Sequence, residues 1–272
     1  MGPRPDPASF TDLESAAAWP FLGITFGLSW GILALWLAAE PTMTALFGPL
    51  SGTHPLFLLA VYAPAIAAVF LVLRRGGARG LRRFLSRLFL WRCHWGWYFV
   101  LLVGLPAAFY GGAWVKGAPL AEPFELGTGA LLSLVVIRTL TGPIEEFGWR
   151  GVLQPLLQRR MAPLWAGLVV GLIWSMWHLP AFFLSGTPQS AWGFLPFLAG
   201  STAASVILSG MFNAGRGSLL IPILFHAQLN SPLWPDGQPF DTLFFVALAA
   251  LVVALNWRTM TGRDKGVTAV AG

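Results

Sequence analysis

Long apolar segments, separated by short polar connections, constrain the fold of this chain more than any other feature. Of its 272 residues, 56% are hydrophobic and 10% are charged, whereas an ordinary soluble domain has roughly 25% charged residues. A helix needs about 20 mostly apolar residues to cross a bilayer, and segments of this kind occupy most of the chain. The sequence therefore predicts an all-α, polytopic membrane helix bundle without a separate soluble domain.

Eight apolar segments are candidate membrane spans, and proline or glycine punctuates most of the gaps between them. We expect a flexible tail over residues 1–17, one transmembrane bundle over residues 18–257 and a second tail over residues 258–272. The predicted spans cover roughly residues 18–39, 55–73, 97–114, 128–158, 163–184, 192–212, 217–233 and 239–257.

Basic residues are concentrated in one connection, and their distribution predicts the orientation of the bundle. Seven of the 17 Lys and Arg residues lie between Arg74 and Arg92. Because cytoplasmic loops carry an excess of Lys and Arg, we place this connection and both termini in the cytoplasm, which leaves only Lys116 among the basic residues of the opposite loops. Topology thus accounts for the net charge of +6, and we expect the lipid bilayer rather than a nucleic acid as a partner.

Residues 78–92 within this connection form a predicted amphipathic helix that lies in the membrane interface. Two interpretations stay open: the helix fixes the topology by binding anionic head groups, or it guides a membrane-bound substrate. Its apolar face is predicted to carry Leu81, Phe84, Leu85 and Leu88, and its polar face Arg79, Arg82, Arg83 and Arg87.

The segment "TGPIEEFGWRG", residues 141–151, places charged residues inside an apolar span. An ionisable residue near the bilayer centre is costly, and it therefore indicates function. Glu146 and Arg150 are four residues apart on one helix face, where they can form a pair. Glu145 lies about 100° further around the helix, without an obvious partner on its own helix.

Three more polar residues in apolar helices are candidate partners for Glu145: His178, His226 and, one turn after the second histidine, Asn230. Counted from the cytoplasmic ends of their helices, Glu145 and His178 both lie about 22 Å deep at 1.5 Å per residue. His226 counts as about 12 Å deep by the same rise, so it is expected to be shallower unless its helix starts deeper or is tilted.

A carboxylate, two imidazoles and a carboxamide at one depth indicate peptide-bond hydrolysis without a covalent intermediate. Glu145 can take a proton from water, one imidazole can bind that water or shuttle its proton, and the other histidine and the asparagine can donate hydrogen bonds to an oxyanion. Alternatively Glu145, His178 and His226 can bind a zinc ion with water in the open position. Trp174, one turn before His178, can form a wall of this site.

Two other classes of function use the same residues. A buried carboxylate and two histidines can carry protons in a transporter or proton relay. The chain can also be a non-enzymatic bacteriocin-immunity or scaffold protein. Serine chemistry is disfavoured because no G-x-S-x-G elbow is present, and the single cysteine, Cys93, excludes an intrachain disulfide and a cysteine metal cluster.

Three motifs together resemble the CAAX protease and bacteriocin-processing (CPBP) family of intramembrane proteases, which includes the CAAX prenyl endopeptidases. They are the two glutamates, three residues and an arginine at 145–150, Trp174 with His178, and His226 with Asn230. The segment "NAGRGSLLIPILFH" before the third motif is also similar to the family's usual sequence there. The resemblance covers roughly residues 128–233.

The resemblance implies an eight-span helical bundle in which Glu145 is the catalytic glutamate and His178 its partner. It also implies that His226 and Asn230 bind an oxyanion or a metal, with Glu146 and Arg150 in support. Because the family has been described both as metalloproteases and as metal-free glutamate proteases, the cofactor is either one divalent metal such as zinc or none. The high membrane content suits a bacterial cytoplasmic membrane, with a peptide or a membrane protein as substrate.

Overall fold

The computed structural model describes residues 12–121, 127–185 and 187–271, with the main chain alone at residues 138–142. The described part of the chain is all-α, as predicted. Its α-helices are α1 (Ala18–Ala38), α2 (Glu40–Phe47), α3 (Pro55–Val61), α4 (Ala63–Ser86), α5 (Trp95–Phe99), α6 (Leu105–Lys116), α7 (Thr128–Thr141), α8 (Glu146–Gly148), α9 (Gln154–Gln158), α10 (Pro163–Trp177), α11 (Phe194–Ala214), α12 (Leu220–Leu229), α13 (Asp241–Leu255) and α14 (Trp257–Thr261).

Several helical runs have the length and apolar character needed to cross a membrane. Among the described residues there are four, Ser15–Ala38, Trp95–Lys116, Pro163–Phe183 and Phe194–Ala214, and a pair bent by 58° at the start of α4 makes a fifth if it counts as one span. The remaining predicted spans contain shorter apolar helices, within α7, α12 and α13. These helices are consistent with an integral membrane protein, while the count of eight spans and the orientation stay predictions.

The predicted span 128–158 is not one continuous helix, which corrects the interpretation from the sequence. After α7 come a 3-10 turn at Gly142–Glu145, the short helix α8, a π-helical turn at Trp149–Leu153 and then α9. Proline explains one of these breaks, because it has no N–H to donate to the carbonyl four residues earlier. Pro155 therefore leaves the carbonyl of Gly151, inside the π turn, without the α-helical donor four residues later.

The predicted amphipathic segment forms the second half of α4 and begins after a break at Gly77, whose φ of 59° is left-handed. Phe84 is fully buried, and Arg79 and Arg82 are exposed, as the pattern predicted. The prediction is wrong for Arg87, whose side chain is buried at 5% exposure. The reason is that α4 ends at Ser86 and a 3-10 turn begins at Arg87, so Arg87 no longer follows the α-helical spacing.

Helices α10 and α11 pack closely because small residues face each other. A Cβ atom added at Gly167 would lie 2.8 Å from the Cβ of Ser209, and one added at Gly171 would lie 2.7 Å from the Cα of Thr202. Small residues of this kind allow membrane helices to approach. The contact sets the position of Trp174, in the last turns of α10, relative to the hydroxyl groups of α11.

Helix α12 begins inside the protein rather than at its surface. Ser218 and Leu219, which precede it, are both 0% exposed, and the N–H of Leu219 donates to the carbonyl of Arg87 at 3.0 Å. His226 therefore follows a helix start that is itself buried in the protein. The sequence analysis named a deeper start as a condition for His226 to reach the level of the other site residues, and its depth in the membrane stays a prediction.

Candidate active site

Glu145 is buried, and two tryptophans hold its carboxylate. The indole nitrogens of Trp149 and Trp174 donate to the same oxygen, Oε2, at 3.3 and 2.8 Å, and the residue is 3% exposed. The expectation that Glu145 has no partner on its own helix is therefore wrong, since Trp149 follows it by four residues. The indole N–H at that spacing was the signal in the sequence, and it was missed because only Arg150 was considered as a partner within this segment.

Glu146, in contrast, contacts charged and titratable groups. Its oxygen Oε1 accepts from Arg150 Nη1 at 3.1 Å and from His226 Nδ1 at 2.7 Å. The Glu146–Arg150 pair predicted from the sequence is present. The sequence analysis grouped His226 with Glu145, but the structure places its Nδ1 against Glu146. Arg150 also donates to the hydroxyl of Ser205 at 2.8 Å, a contact that the sequence did not predict.

His178 lies at the end of α10, where Pro180 follows and prevents a regular continuation of the helix. Its Nδ1 is 2.8 Å from the carbonyl oxygen of Trp174. A carbonyl only accepts hydrogen bonds, so Nδ1 carries the proton, and in the neutral ring the other nitrogen, Nε2, is an acceptor. The ring packs against Trp177 and Phe197, with centroid distances of 4.8 and 5.2 Å.

Trp174 connects the residues of the site. Its indole N–H donates to Glu145, its carbonyl oxygen contacts His178, and its ring lies edge-on to His226 with centroids 5.1 Å apart. The guanidinium of Arg150 lies over the same ring, 5.4 Å from its centroid. Trp174 is thus more than the wall expected from the sequence, because it touches both histidines and the carboxylate of Glu145.

Asn230 is the C-terminal cap of α12, one turn after His226 as the spacing predicted. Its main-chain N–H donates to the carbonyl of His226 at 3.2 Å, and the residue is half-buried. The main-chain N–H of Asn230 is therefore next to His226, at the end of the helix that carries His226.

The alternative zinc site does not fit this arrangement of side chains. Among the residues that the structure describes, no three His, Cys, Asp or Glu side chains form a group able to hold a metal ion. His226 uses Nδ1 for Glu146, and Glu145 uses Oε2 for two indoles. Glu145, His178 and His226 would therefore have to rearrange to become a ligand set.

A comparison with known protein families finds a match for the region that contains the residues of the candidate site. Residues 127–231 match the family of Rce1-like type II CAAX prenyl endopeptidases. This region belongs to that family. The match nearly coincides with residues 128–233, the range over which the sequence motifs resemble the CPBP proteases, so the predicted family is confirmed.

Individual relatives of the Rce1-like region have been described under two names. The chain is 26% identical over 226 residues to CAAX prenyl protease 2 of Methanococcus maripaludis, with 74% of this chain and 83% of that protein covered. It is 28% identical over 142 residues to lysostaphin resistance protein A of Staphylococcus aureus, with 50% of this chain covered. The second match spans only 32% of the length of the staphylococcal protein.

Proposed function

We propose that this protein is an intramembrane endopeptidase that uses Glu145 and His178 to activate water. The observation that carries the proposal is the environment of Glu145, a buried carboxylate held through one oxygen by two indole N–H groups. One of these tryptophans, Trp174, also accepts a hydrogen bond from His178 at its main-chain carbonyl. Neutral donors orient a carboxylate without supplying a compensating positive charge, so it remains available as a base. Membership of an endopeptidase family supports the same reaction.

Water attack is the first step of the proposed mechanism. Oxygen Oε1 of Glu145 is not engaged by either indole, and it accepts a proton from a water molecule as the water oxygen attacks the scissile carbonyl carbon. The imidazole of His178 accepts a hydrogen bond from that water at Nε2 and so orients it. The attack forms a tetrahedral intermediate whose former carbonyl oxygen carries the negative charge.

Collapse of this intermediate completes the reaction. The protonated Glu145 gives its proton to the leaving nitrogen, the C–N bond breaks, and the products are a carboxylic acid and an amine. His226 and Asn230 are proposed as the donors that stabilise the oxyanion. With Nδ1 donating to Glu146, Nε2 of His226 donates to the oxyanion in the imidazolium form, which carries a proton on both ring nitrogens. Glu146 faces both this ring and Arg150.

The substrate is proposed to be a peptide or a membrane protein. A direct test uses the full chain in proteoliposomes with two probes: a quenched fluorescent peptide with a farnesylated CAAX sequence, and the same peptide without the lipid. Cleavage of either probe, identified by mass spectrometry of the products, supports the proposal. The ratio of the two rates shows whether a lipidated substrate is needed, and a chelator arm tests for a metal requirement.

Variants connect cleavage to the proposed residues. Glu145→Gln and His178→Ala should each reduce kcat at least about 100-fold, the lower end for loss of a general acid–base group. His54→Ala is the matched control, because His54 caps α3 and bonds the carbonyl of Phe47, away from the candidate site. Full activity of a folded Glu145→Gln protein would exclude Glu145 as the base.

A non-enzymatic role is the second candidate, and one observation favours it. The relatives from Staphylococcus aureus are named for resistance to lysostaphin and not for proteolysis. A Glu145→Gln protein that keeps a resistance phenotype in cells, while purified wild-type protein cleaves neither probe, would support this role over the endopeptidase. A solute flux coupled to a proton gradient in the same proteoliposomes would instead support the transporter.

A further inference from the structure

Residues 267–271 lie outside any helix, and side chains from other segments bind their main chain. The N–H of Val267 donates to Asn213 Oδ1 at 2.7 Å, and its carbonyl accepts from Gln158 Nε2, also at 2.7 Å. The next carbonyl, of Thr268, accepts from Arg159 Nε at 3.0 Å. Helices α9 and α11 thus provide a row of polar groups that matches the main chain of a peptide.

The end of the same segment is bound more deeply. Asp12 accepts the N–H groups of Val270 and Ala271 at 3.0 and 3.3 Å through its two oxygens, and Arg87 Nη1 donates to the carbonyl of Val270 at 2.6 Å. Val270 and Ala271 are 0% and 1% exposed. Their side chains pack in the same hydrophobic cluster as Phe84.

Recognition of this kind has two parts. Hydrogen bonds to the main chain provide affinity without depending on sequence, whereas the pockets for side chains provide specificity. Here the main-chain bonds run from Val267 to Ala271, and the buried positions admit small apolar side chains. The segment therefore has the contacts of a bound peptide ligand rather than those of a loop held by its own turns.

Arg87 connects this peptide to the candidate active site. Its Nη1 also donates to the carbonyl of Gly151 at 3.1 Å, the one that Pro155 leaves without its α-helical donor, and its Nε donates to the carbonyl of Gly217 at 2.7 Å. Gly151 belongs to the π turn that carries Trp149 and Arg150. Gly217 precedes α12, the helix of His226.

We propose that residues 267–271 are a peptide ligand bound in a receptor groove of the same chain, and that occupation of this groove holds the π turn and α12 in place. The ligand class is a short peptide with small apolar side chains at the positions of Val270 and Ala271. When the peptide leaves, Arg87 loses the carbonyl of Val270, and its hold on Gly151 and Gly217 is weakened. The effect on catalysis rests on the proposed function, but the binding itself does not.

The experiment uses the full chain with Val270→Asp, which places a charge in the apolar pocket and so should release the segment. A fluorescent peptide with the sequence of residues 266–272 is titrated into the purified variant in detergent, and anisotropy is measured. We expect at least tenfold tighter binding to the Val270→Asp protein than to wild type, whose groove is filled. Thr268→Asp is the matched control, because it adds the same charge at an exposed position of the same segment and should behave as wild type.

Absence of peptide binding to a folded Val270→Asp protein would overturn the proposal, as would equal binding to the Thr268→Asp control. If the Val270→Asp protein does not fold, hydrogen exchange on an Asp12→Asn protein replaces the titration. Exchange of the Val270 and Ala271 amides should then be at least tenfold faster than in wild type, with α1 unchanged. If both amides exchange as slowly in the Asp12→Asn protein as in wild type, Asp12 does not hold the segment in the groove and the proposal is contradicted.

Cleavage provides the last readout. The Val270→Asp protein should lose most of its kcat, and the added peptide should restore it, whereas Thr268→Asp should not change it. Peptide binding without any change in kcat would contradict the coupling to the site. If the wild-type protein cleaves no probe while the Val270→Asp protein binds the peptide as expected, the endopeptidase is refuted and the groove remains supported.

Discussion

Arg150 and Arg87 are both buried, but in different surroundings, and the comparison shows two ways in which this protein accommodates a cation. Arg150, within the candidate site, is 0% exposed and pairs with the equally buried Glu146. Arg87, at the end of the bundle where residues 267–271 bind, donates to the carbonyls of Gly151, Gly217 and Val270. The first arginine balances the charge of a buried carboxylate, and the second joins main-chain segments.

This difference predicts that Arg150→Leu has the largest effect on stability. The substitution leaves the carboxylate of Glu146 buried without its cation, and breaking a buried ion pair in this way costs about 3–5 kcal/mol. Unfolding of the purified protein in mixed micelles measures the loss. The double variant Glu146→Gln/Arg150→Leu removes the uncompensated charge and should recover part of the lost stability. A double variant no more stable than Arg150→Leu would show that Arg150 does not act by neutralising Glu146.

Arg87→Leu should have a smaller effect on the same measurement. It removes hydrogen bonds from a charged donor, but it also removes the cost of burying that charge, and the carbonyls that it leaves are neutral. We therefore expect a net loss of about 2–3 kcal/mol. Arg87→Lys is the control, because it keeps the positive charge but loses the planar set of guanidinium N–H donors. If Arg87→Leu loses as much stability as Arg150→Leu, then Arg87 also neutralises a buried charge.

Trp149→Phe tests the neutral donors of Glu145 and should change stability by only about 1 kcal/mol. The ring remains to pack against Phe21 and Trp177, while one donor to Glu145 is lost. Because Trp149 is 0% exposed, it does not contact substrate, so kcat should fall severalfold with KM unchanged.

Trp177→Phe is the matched control for that experiment. The indole nitrogen of Trp177 is buried and has no acceptor among the described residues, so the substitution removes no hydrogen bond of that nitrogen. Because Phe keeps an aromatic ring against His178, kcat should fall less than in the Trp149→Phe protein. If the two tryptophan variants lower kcat equally, then ring size, and not the donor to Glu145, is what the reaction needs.

Arg82→Gln should have the smallest effect. Arg82 lies on the same basic segment as Arg87, but it is exposed, and surface substitutions of this kind rarely change stability. The unfolding midpoint of the variant should equal that of wild type. A loss comparable to that of Arg87→Leu would show that exposure does not separate the arginines of this segment.

The sequence was a good guide to which residues share a helix face and a poor guide to what those faces contact. Helical spacing predicted the Glu146–Arg150 pair, because both residues belong to one helical run and periodicity describes a single run well. It did not predict that His226 would contact Glu146, since that depends on how α12 packs. Arg87 was placed on the wrong face because the spacing was extended beyond Ser86, where the helix ends.

The buried start of α12 was also not predicted, for a physical reason. The count from Ser218 to His226 assumed that the helix begins where the chain enters the bundle, but Ser218 and Leu219 are themselves buried. Hydropathy reports that a segment is apolar and not how far its start lies below the surface. The role of Asp12 could not be predicted either, because its partners Val270 and Ala271 are more than 250 residues away in sequence.

The short length of α12 has a consequence for the synthesis of the protein. Its 10 residues extend about 15 Å, roughly half of the hydrocarbon thickness, so we expect that it cannot remain in the bilayer alone. We expect it to enter together with α11, and to reach its position only when the 3-10 turn at Gly142–Glu145 and α8, which it contacts, are already there. The last histidine of the site would then arrive late, and a newly made chain would be inert until its bundle is complete.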